Sequence, residues 1–186
     1  MLTRLNEGSS TIPSKKVGHR DENATVVTLD QTRKTVGVDL YYGWFPVGER
    51  PTPSLSVSRE GVNLLGAVTE HGETEVLECG GSFTGDITVR FLAHLQETFG
   101  EKLVMLLDKA TYFTAGAVKD FVDGEPIELV YFPTGSPDLN PTEEYWRRLK
   151  LTLDNQYFAT IAELRTAMWS ALKTISPPRI YQYLCP

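Results

Sequence analysis

Short apolar runs and amphipathic stretches alternate along most of this chain, and their periods differ. Residues 24–30 (ATVVTLD) are a β-branched run closed by Asp30, which predicts a strand ending at that aspartate. Residues 39–44 predict a second short strand, after which Pro46, Gly48, Pro51 and Pro53 break the chain into an ordered loop. VNLLGAVT at 62–69 predicts a further strand, and Glu70-His71-Gly72-Glu73 a hairpin turn into another near 74–79. The first half therefore reads as an antiparallel meander. From Thr84 the period becomes helical: Ile87, Phe91, Leu95 and Phe99 recur at every fourth position, with Thr84 as N-cap and Gly100 as the stop. The apolar run from Leu103 reads as a short buried strand ending in Asp108, followed by a short helix over about 114–122 that stops at Asp123-Gly124. IELVYF at 127–132 is another buried strand, and a helix opens at Pro141 and runs to about 153. Thr160 and Glu163 form a capping box for a last helix whose buried face is Ile161, Leu164, Met168, Leu172 and Ile175, ended by Pro177-Pro178. Strands first, then strands alternating with helices, give an α/β domain with one mixed sheet flanked by helices.

Composition narrows this picture. With 186 residues and 41% hydrophobic content, one domain with a sizeable core is expected. Residues 1–23 are polar and aperiodic, with Gly8, Ser9, Ser10 and Pro13, and read as a disordered or loosely attached leader to a domain at 24–186. No run of eighteen apolar residues exists, and the first residues lack a charged head followed by an apolar stretch. Neither a membrane partner nor secretion is therefore expected. Cys79 and Cys185 are far apart, imply no disulfide framework, and fit a reducing cytoplasm. His19, His71 and His94 form no ligand cluster, and Gly80-Gly81 is a loop and not a phosphate cradle. The net charge of −6 is the wrong sign for a protein that holds nucleic acid through its overall field. Glu70, Glu73, Glu75 and Glu78 are expected to form a solvated strand face.

The chemistry concentrates in residues 136–150, SPDLNPTEEYWRRLK. Ser136-Pro137-Asp138 favours a tight bend. Asn140 is a strong N-cap, and Pro141 is tolerated at the first helical position. Glu143 then falls in the first turn, where the helix dipole favours a carboxylate. Arg147 and Lys150 lie at i+4 and i+7, on the same face as Glu143. A carboxylate fixed by a rigid cap, with cations behind it, suits a metal ion and a phosphate together. The plainer role for Glu143 is a capping box that reaches back to the Asn140 N–H.

Upstream, Asp108 stands at the end of its apolar strand, with 34 residues between it and Glu143. Together these two blocks resemble the DDE transposases of the mariner-like superfamily, especially their bacterial and archaeal insertion-sequence branch. Ser136, Pro137, Asp138, Leu139, Asn140, Pro141, Glu143, Trp146, Leu149 and Lys150 all fit that pattern. A third carboxylate is expected on the first strand. Asp30 lies 14 positions before Trp44, with Gly48 and Pro51 following, as in the family pattern, although Gln31 replaces the usual Glu. The resemblance implies a ribonuclease-H-like fold with the first and fourth strands side by side at its centre. It implies that Asp30, Asp108 and Glu143 are catalytic and hold two Mg²⁺ ions, with Mn²⁺ as a substitute. Hard cations take oxygen ligands, and two such ions about 4 Å apart can activate a nucleophile and stabilise a leaving oxygen in phosphodiester chemistry. Cleavage by activated water would free a 3′-hydroxyl that attacks target DNA directly. DNA is the implied partner, with Arg147, Arg148, Lys150 and Lys109 as contacts and a homodimer working on paired ends.

The sequence departs from the family at Lys109, where Asn is usual, and at Phe113, where His is common. If the strand persists past Asp108, Lys109 points to the opposite face. The helix-turn-helix region that usually precedes the catalytic domain is expected to be absent here and supplied by a separate subunit. A stand-alone nuclease of the same fold and an inactive remnant remain as alternatives. Trp44 and Trp146 read as packing residues. The three carboxylates are expected to converge within roughly 4–8 Å. Asp39, the other aspartate near the first strands, is expected outside the cluster.

Overall fold

The computed structural model describes residues 23–37, 60–136 and 139–184. Nearly all of the expected leader, the strand expected at 39–44 with Asp39 and Trp44, the loop at 46–53 and the Pro137-Asp138 pair lie outside them.

Five strands form one sheet in the order β3-β2-β1-β4-β5: β1 (Thr25–Thr35), β2 (Gly61–Thr69), β3 (Thr74–Cys79), β4 (Leu103–Leu107) and β5 (Ile127–Tyr131). β1, β2 and β3 pair antiparallel, while β4 pairs parallel with both β1 and β5. Connectivity explains the mixture: a tight turn at Gly72 (φ +86°) joins β2 to β3, whereas parallel neighbours need helical crossovers. Those crossovers are α1 (Gly85–Phe99) and α2 (Gly116–Asp123). Then follow α3 (Pro141–Leu153), α4 (Ile161–Leu172) and the short α5 (Tyr181–Leu184). β1 and β4 lie side by side at the centre, as the ribonuclease-H-like expectation required.

Each face of the sheet has its own core. Val27, Leu29, Leu65, Ala67, Met105 and Leu107 pack under α1 and α2 with Phe91, Leu95 and Val118. Val62, Leu64 and Val68 pack under α3 and α4 with Trp146, Leu149, Leu164 and Met168. The central strands are covered on both faces, which is why their sequences read as near-continuous apolar runs.

The structure corrects two expectations. β1 does not end at Asp30 but continues to Thr35, because β2 offers a partner along the whole length, from Val27↔Thr69 to Thr35↔Gly61. β4 accompanies β1 only as far as Thr28↔Leu106. Asp30 therefore sits where β1 has left β4 but is still held by β2. Nor do the β3 glutamates form one solvated face. Glu75 pairs with His94 of α1 at 3.1 Å, whereas Glu78 takes Arg165 at 2.7 Å and the Trp169 Nε1–H at 3.2 Å from α4. Strand alternation sends these carboxylates to opposite faces, where helices on both sides supply partners.

Candidate active site

The start of α3 is bound to β1 by hydrogen bonds that the sequence does not announce. Asn140 is the N-cap, its Oδ1 accepting from the Thr142 N–H at 3.1 Å. Its Nδ2 donates to the Leu29 carbonyl at 3.2 Å. Thr142 Oγ1 lies 3.0 Å from the Thr28 carbonyl and 2.8 Å from Thr28 Oγ1. All three side chains are buried, so each of these bonds satisfies a group that water cannot reach. One turn on, Trp146 lies over Gly66, the cross-strand partner of Asp30. A Cβ at Gly66 would meet Trp146 Cζ2 at 2.3 Å, so only glycine lets α3 come this close. Cap, threonine pair and indole together hold the first turn of α3, and Glu143 with it, beside the stretch of β1 that carries Asp30.

Asp108 arrives from the other side. The β1–β4 register of Thr28↔Leu106 places residue 108 level with residue 30. β4 ends at Leu107, and Asp108 turns the chain by accepting the Ala110 N–H on Oδ1 at 2.9 Å. Asp108 and Glu143 are exposed, whereas Asp30 is only 6% exposed. Burial is the largest influence on Asp30 and pushes its carboxyl up to about 7. A backbone hydrogen bond from Gln31 opposes that rise; the negative charges of Glu143 and then Asp108 add to it, and Lys150 offsets part. Glu143 and Asp108 thus act on Asp30, with Lys150 as a nearby cation. A cleft of about 420 Å³ opens beside Asp108 and Glu143, lined also by Lys109 and walled by Phe132 to Ser136; Asp30 does not line it. Among the described residues, no three Asp, Glu, His or Cys side chains already stand in a metal-ligating group.

The basic residues divide. Arg147 and Arg148 both turn to Glu144, at 2.5 and 2.9 Å, and Arg148 also donates to the Ser176 carbonyl at 2.9 Å. Hydrogen bonding from Arg147, then from Arg148, holds the Glu144 carboxyl down to about 2 against its partial burial. Lys109 differs from the alternation argument: β4 stops at Leu107, and Lys109 lines the same cleft as Asp108. Phe113 is fully buried in the core under α1 and α2, a place where an imidazole would need a partner. Trp146, 2% exposed, is a packing residue.

Three participants escaped the sequence reading, Thr28, Thr142 and Tyr112, while Gln31 was noted there only as a departure from the family pattern. The phenol of Tyr112 is pushed up by burial, then by Asp108 and Asp30. Gln31 beside it acts weakly the other way without making a hydrogen bond of normal geometry, and the buried hydroxyl has no protein partner. A threonine pair across 114 positions leaves no periodic trace. Tyr112 lay one position from the departure at Phe113.

Comparison with known proteins gives this site its relatives. The model of the DDE superfamily endonuclease family matches residues 25–165, a span that includes β1, Asp108 and all of α3. The chain belongs to this family. Within it, a 70-residue segment, 37% of the chain, is 33% identical to the Transposable element Tc3 transposase of Caenorhabditis elegans, of which it covers 21%. The fold is similar to that of the Mos1 transposase paired-end complex with left transposon end, with a TM-score of 0.68 at 18% identity, covering 91% of this chain and 54% of that one. The catalytic domain of Mos1 mariner transposase alone gives a TM-score of 0.65 at 16% identity, covering 99% of this chain and 90% of that domain. The chain thus spans about half of the Mos1 transposase. No helix among the described residues is long and apolar enough to cross a membrane.

Proposed function

We propose that residues 24–186 are the catalytic domain of a mariner-like DDE transposase of the bacterial and archaeal insertion-sequence branch. The domain cuts DNA at the ends of an element and joins the freed ends to target DNA. The observation that carries this reading is the charge coupling of a buried Asp30 to Glu143 and Asp108, beside a cleft that Asp108 and Glu143 line. Membership of the DDE superfamily endonuclease family supports it. Mos1 complexes described with Mn and with Mg support the use of a divalent metal.

The donor set fits such ions. Asp30, Asp108 and Glu143 offer only oxygens, and their mutual repulsion at a buried aspartate is relieved by a cation. Bound divalent ions would supply the Lewis acidity that activates the attacking hydroxyl and stabilises the leaving oxygen. The chain's own groups do the rest. Asp30 would hold such an ion as the ionised carboxylate, its proton released to solvent. Asn140 and Thr142 fix the helix turn that carries Glu143. Lys150 and Lys109 offset phosphate charge at the cleft, and Arg147 and Arg148 reach DNA by exchanging Glu144 for phosphate. The active complex is a homodimer on paired ends in the cytoplasm. End recognition belongs to a helix-turn-helix region outside the catalytic domain, in cis or on a separate subunit.

Incubation of end-containing DNA with the full chain and Mg²⁺ or Mn²⁺ tests the reading. Wild type yields cleaved ends and strand-transfer products. Asp108→Asn and Glu143→Gln yield neither, with melting temperatures near that of wild type. Unchanged cleavage by either variant sinks the assignment. Lys109 in the cleft beside Asp108 favours a second reading, an inactive remnant or a nuclease without strand transfer, because its charge competes with a cation. On that reading Lys109→Asn restores or strengthens metal-dependent activity.

A further inference from the structure

The cleft beside the carboxylates holds a cation of its own. Among the described residues that line it, only Asp108, Glu143 and Lys109 carry charge. The rest of the lining, Phe132 to Ser136 with Ala110 and Asn140, is apolar or neutral. Lys109 enters the cleft because β4 stops at Leu107 and Asp108 closes a tight turn onto the Ala110 N–H at 2.9 Å, with Lys109 between them. The lysine is exposed, and no carboxylate among the described residues pairs with it, whereas Arg147, Arg148 and Arg165 each hold a glutamate. Charge limits what else the site can hold. Asp30, Asp108 and Glu143, once ionised, carry three negative charges, and Lys109 and Lys150 offset two of them. One divalent ion and one scissile phosphate then bring the site to neutrality. A second divalent ion would leave it two charges positive, beside a buried carboxylate where water screens poorly.

We propose that Lys109 stands in place of one of the two divalent ions: the site takes a single ion, and the Lys109 ammonium neutralises the scissile phosphate and its leaving 3′-oxygen. The inference rests on the DNA-cleaving reading above and departs from the pair of ions that the family resemblance implied. Of the two tasks that a metal pair performs, activation of the nucleophile needs a Lewis acid. Charge on the leaving oxygen can be met by an ammonium, a compact point charge suited to phosphate. In the cut, the water oxygen bonds to phosphorus as the bond from phosphorus to the 3′-oxygen breaks. A proton of the water passes to solvent, and the 3′-oxygen takes a proton from solvent. Lys109 keeps its own protons throughout and acts by charge alone.

The test counts ions on the full chain. Mn²⁺ is titrated by calorimetry into wild type, Lys109→Asn and Lys109→Arg, each with a saturating end-containing duplex that is already cut, and the same samples are read by electron paramagnetic resonance. Wild type takes one Mn²⁺ per chain and shows the signal of an isolated ion. Lys109→Asn takes a second and shows the signal of a coupled pair. Lys109→Arg keeps the charge and takes one. Lys109 is exposed, so both variants melt near wild type in EDTA. Two ions on wild type, or one on Lys109→Asn, overturns the proposal, and no ion on wild type overturns the transposase reading with it. Cleavage of uncut duplex is scored separately across a Mg²⁺ series. At limiting Mg²⁺, Lys109→Asn is roughly a hundredfold slower than wild type, the size of one lost group that stabilises transition-state charge, and Lys109→Arg recovers most of that loss. A Lys109→Asn variant faster than wild type at limiting Mg²⁺ overturns the proposal and favours the remnant reading. The expected ion counts without cleavage by any of the three proteins support the single-ion site and overturn the transposase reading.

Discussion

At Asp30, burial works against charge. The carboxyl rises from 3.8 to about 7, chiefly through loss of solvent and then through Glu143 and Asp108. The sign of the pH effect follows from proton counts. Between about pH 4 and 7 the folded chain holds a proton that the unfolded chain has released, so stability falls as pH rises through this window. A shift of this size corresponds to about 4 kcal/mol lost across it. Urea unfolding in EDTA at pH 5 and pH 8 is expected to show that loss for wild type and little of it for Asp30→Asn. Equal slopes for the two proteins would exclude Asp30 as the source. Divalent metal requires the ionised form, so its affinity is expected to rise with pH through about 7, with proton release visible by calorimetry in two buffers. Glu144 has the opposite sign. Its carboxyl is held down to about 2, and its contribution is present above the usual carboxylate range and fades as pH falls.

At the scale of elements, the junction of α3 with β1 and β2 governs the site. Thr142→Val keeps the shape and removes the hydroxyl that meets Thr28, leaving a buried oxygen without its partner. A loss of about 1–3 kcal/mol in unfolding free energy is expected. Gly66→Ala acts by sterics: its Cβ at 2.3 Å from the Trp146 ring forces α3 outward. It is expected to cost about 1–3 kcal/mol as an overpacked core and to lower metal affinity, because Glu143 rides on the displaced helix. Thermal denaturation with and without Mg²⁺ separates the two effects. A metal-induced rise in Tm equal to that of wild type would show that α3 does not set the position of Glu143. Much of α3 was legible beforehand, because Asn140, Pro141 and the apolar positions Trp146, Leu149 and Leu153 act locally. Its anchorage was not legible, because it joins residues more than a hundred positions apart.

For the molecule as a whole, charge sets the terms of DNA binding. The net charge is −6, and Arg147, Arg148 and Arg165 each hold a glutamate. The chain of residues 1–186 is expected to bind DNA weakly, in the micromolar range of non-specific complexes, with little sequence preference and a shallow salt dependence. Fluorescence anisotropy with end-containing and scrambled duplexes at two salt concentrations checks this. Nanomolar, sequence-selective binding at physiological salt would contradict it. Glu144→Gln removes the carboxylate that Arg147 and Arg148 share, and is expected to strengthen binding and steepen the salt slope, whereas a slope equal to that of wild type would remove Arg147 and Arg148 from the interface.

The sequence by itself determined the order and kind of nearly every described element, down to β3 at Thr74–Cys79, α1 under its Thr84 cap and α3 at Pro141–Leu153. These follow from caps, turns and apolar periods, which act over a few residues. Through its resemblance to a family pattern it also marked Asp30, Asp108 and Glu143 as candidates. The tertiary structure alone decided that β1 runs on to Thr35, since β2 supplies the partner groups for that extension. It decided that Lys109 shares the cleft of Asp108, because β4 stops first. It alone buried Asp30 and set two acidic neighbours against it, for burial and charge proximity belong to pairs of segments that meet only when the chain has folded.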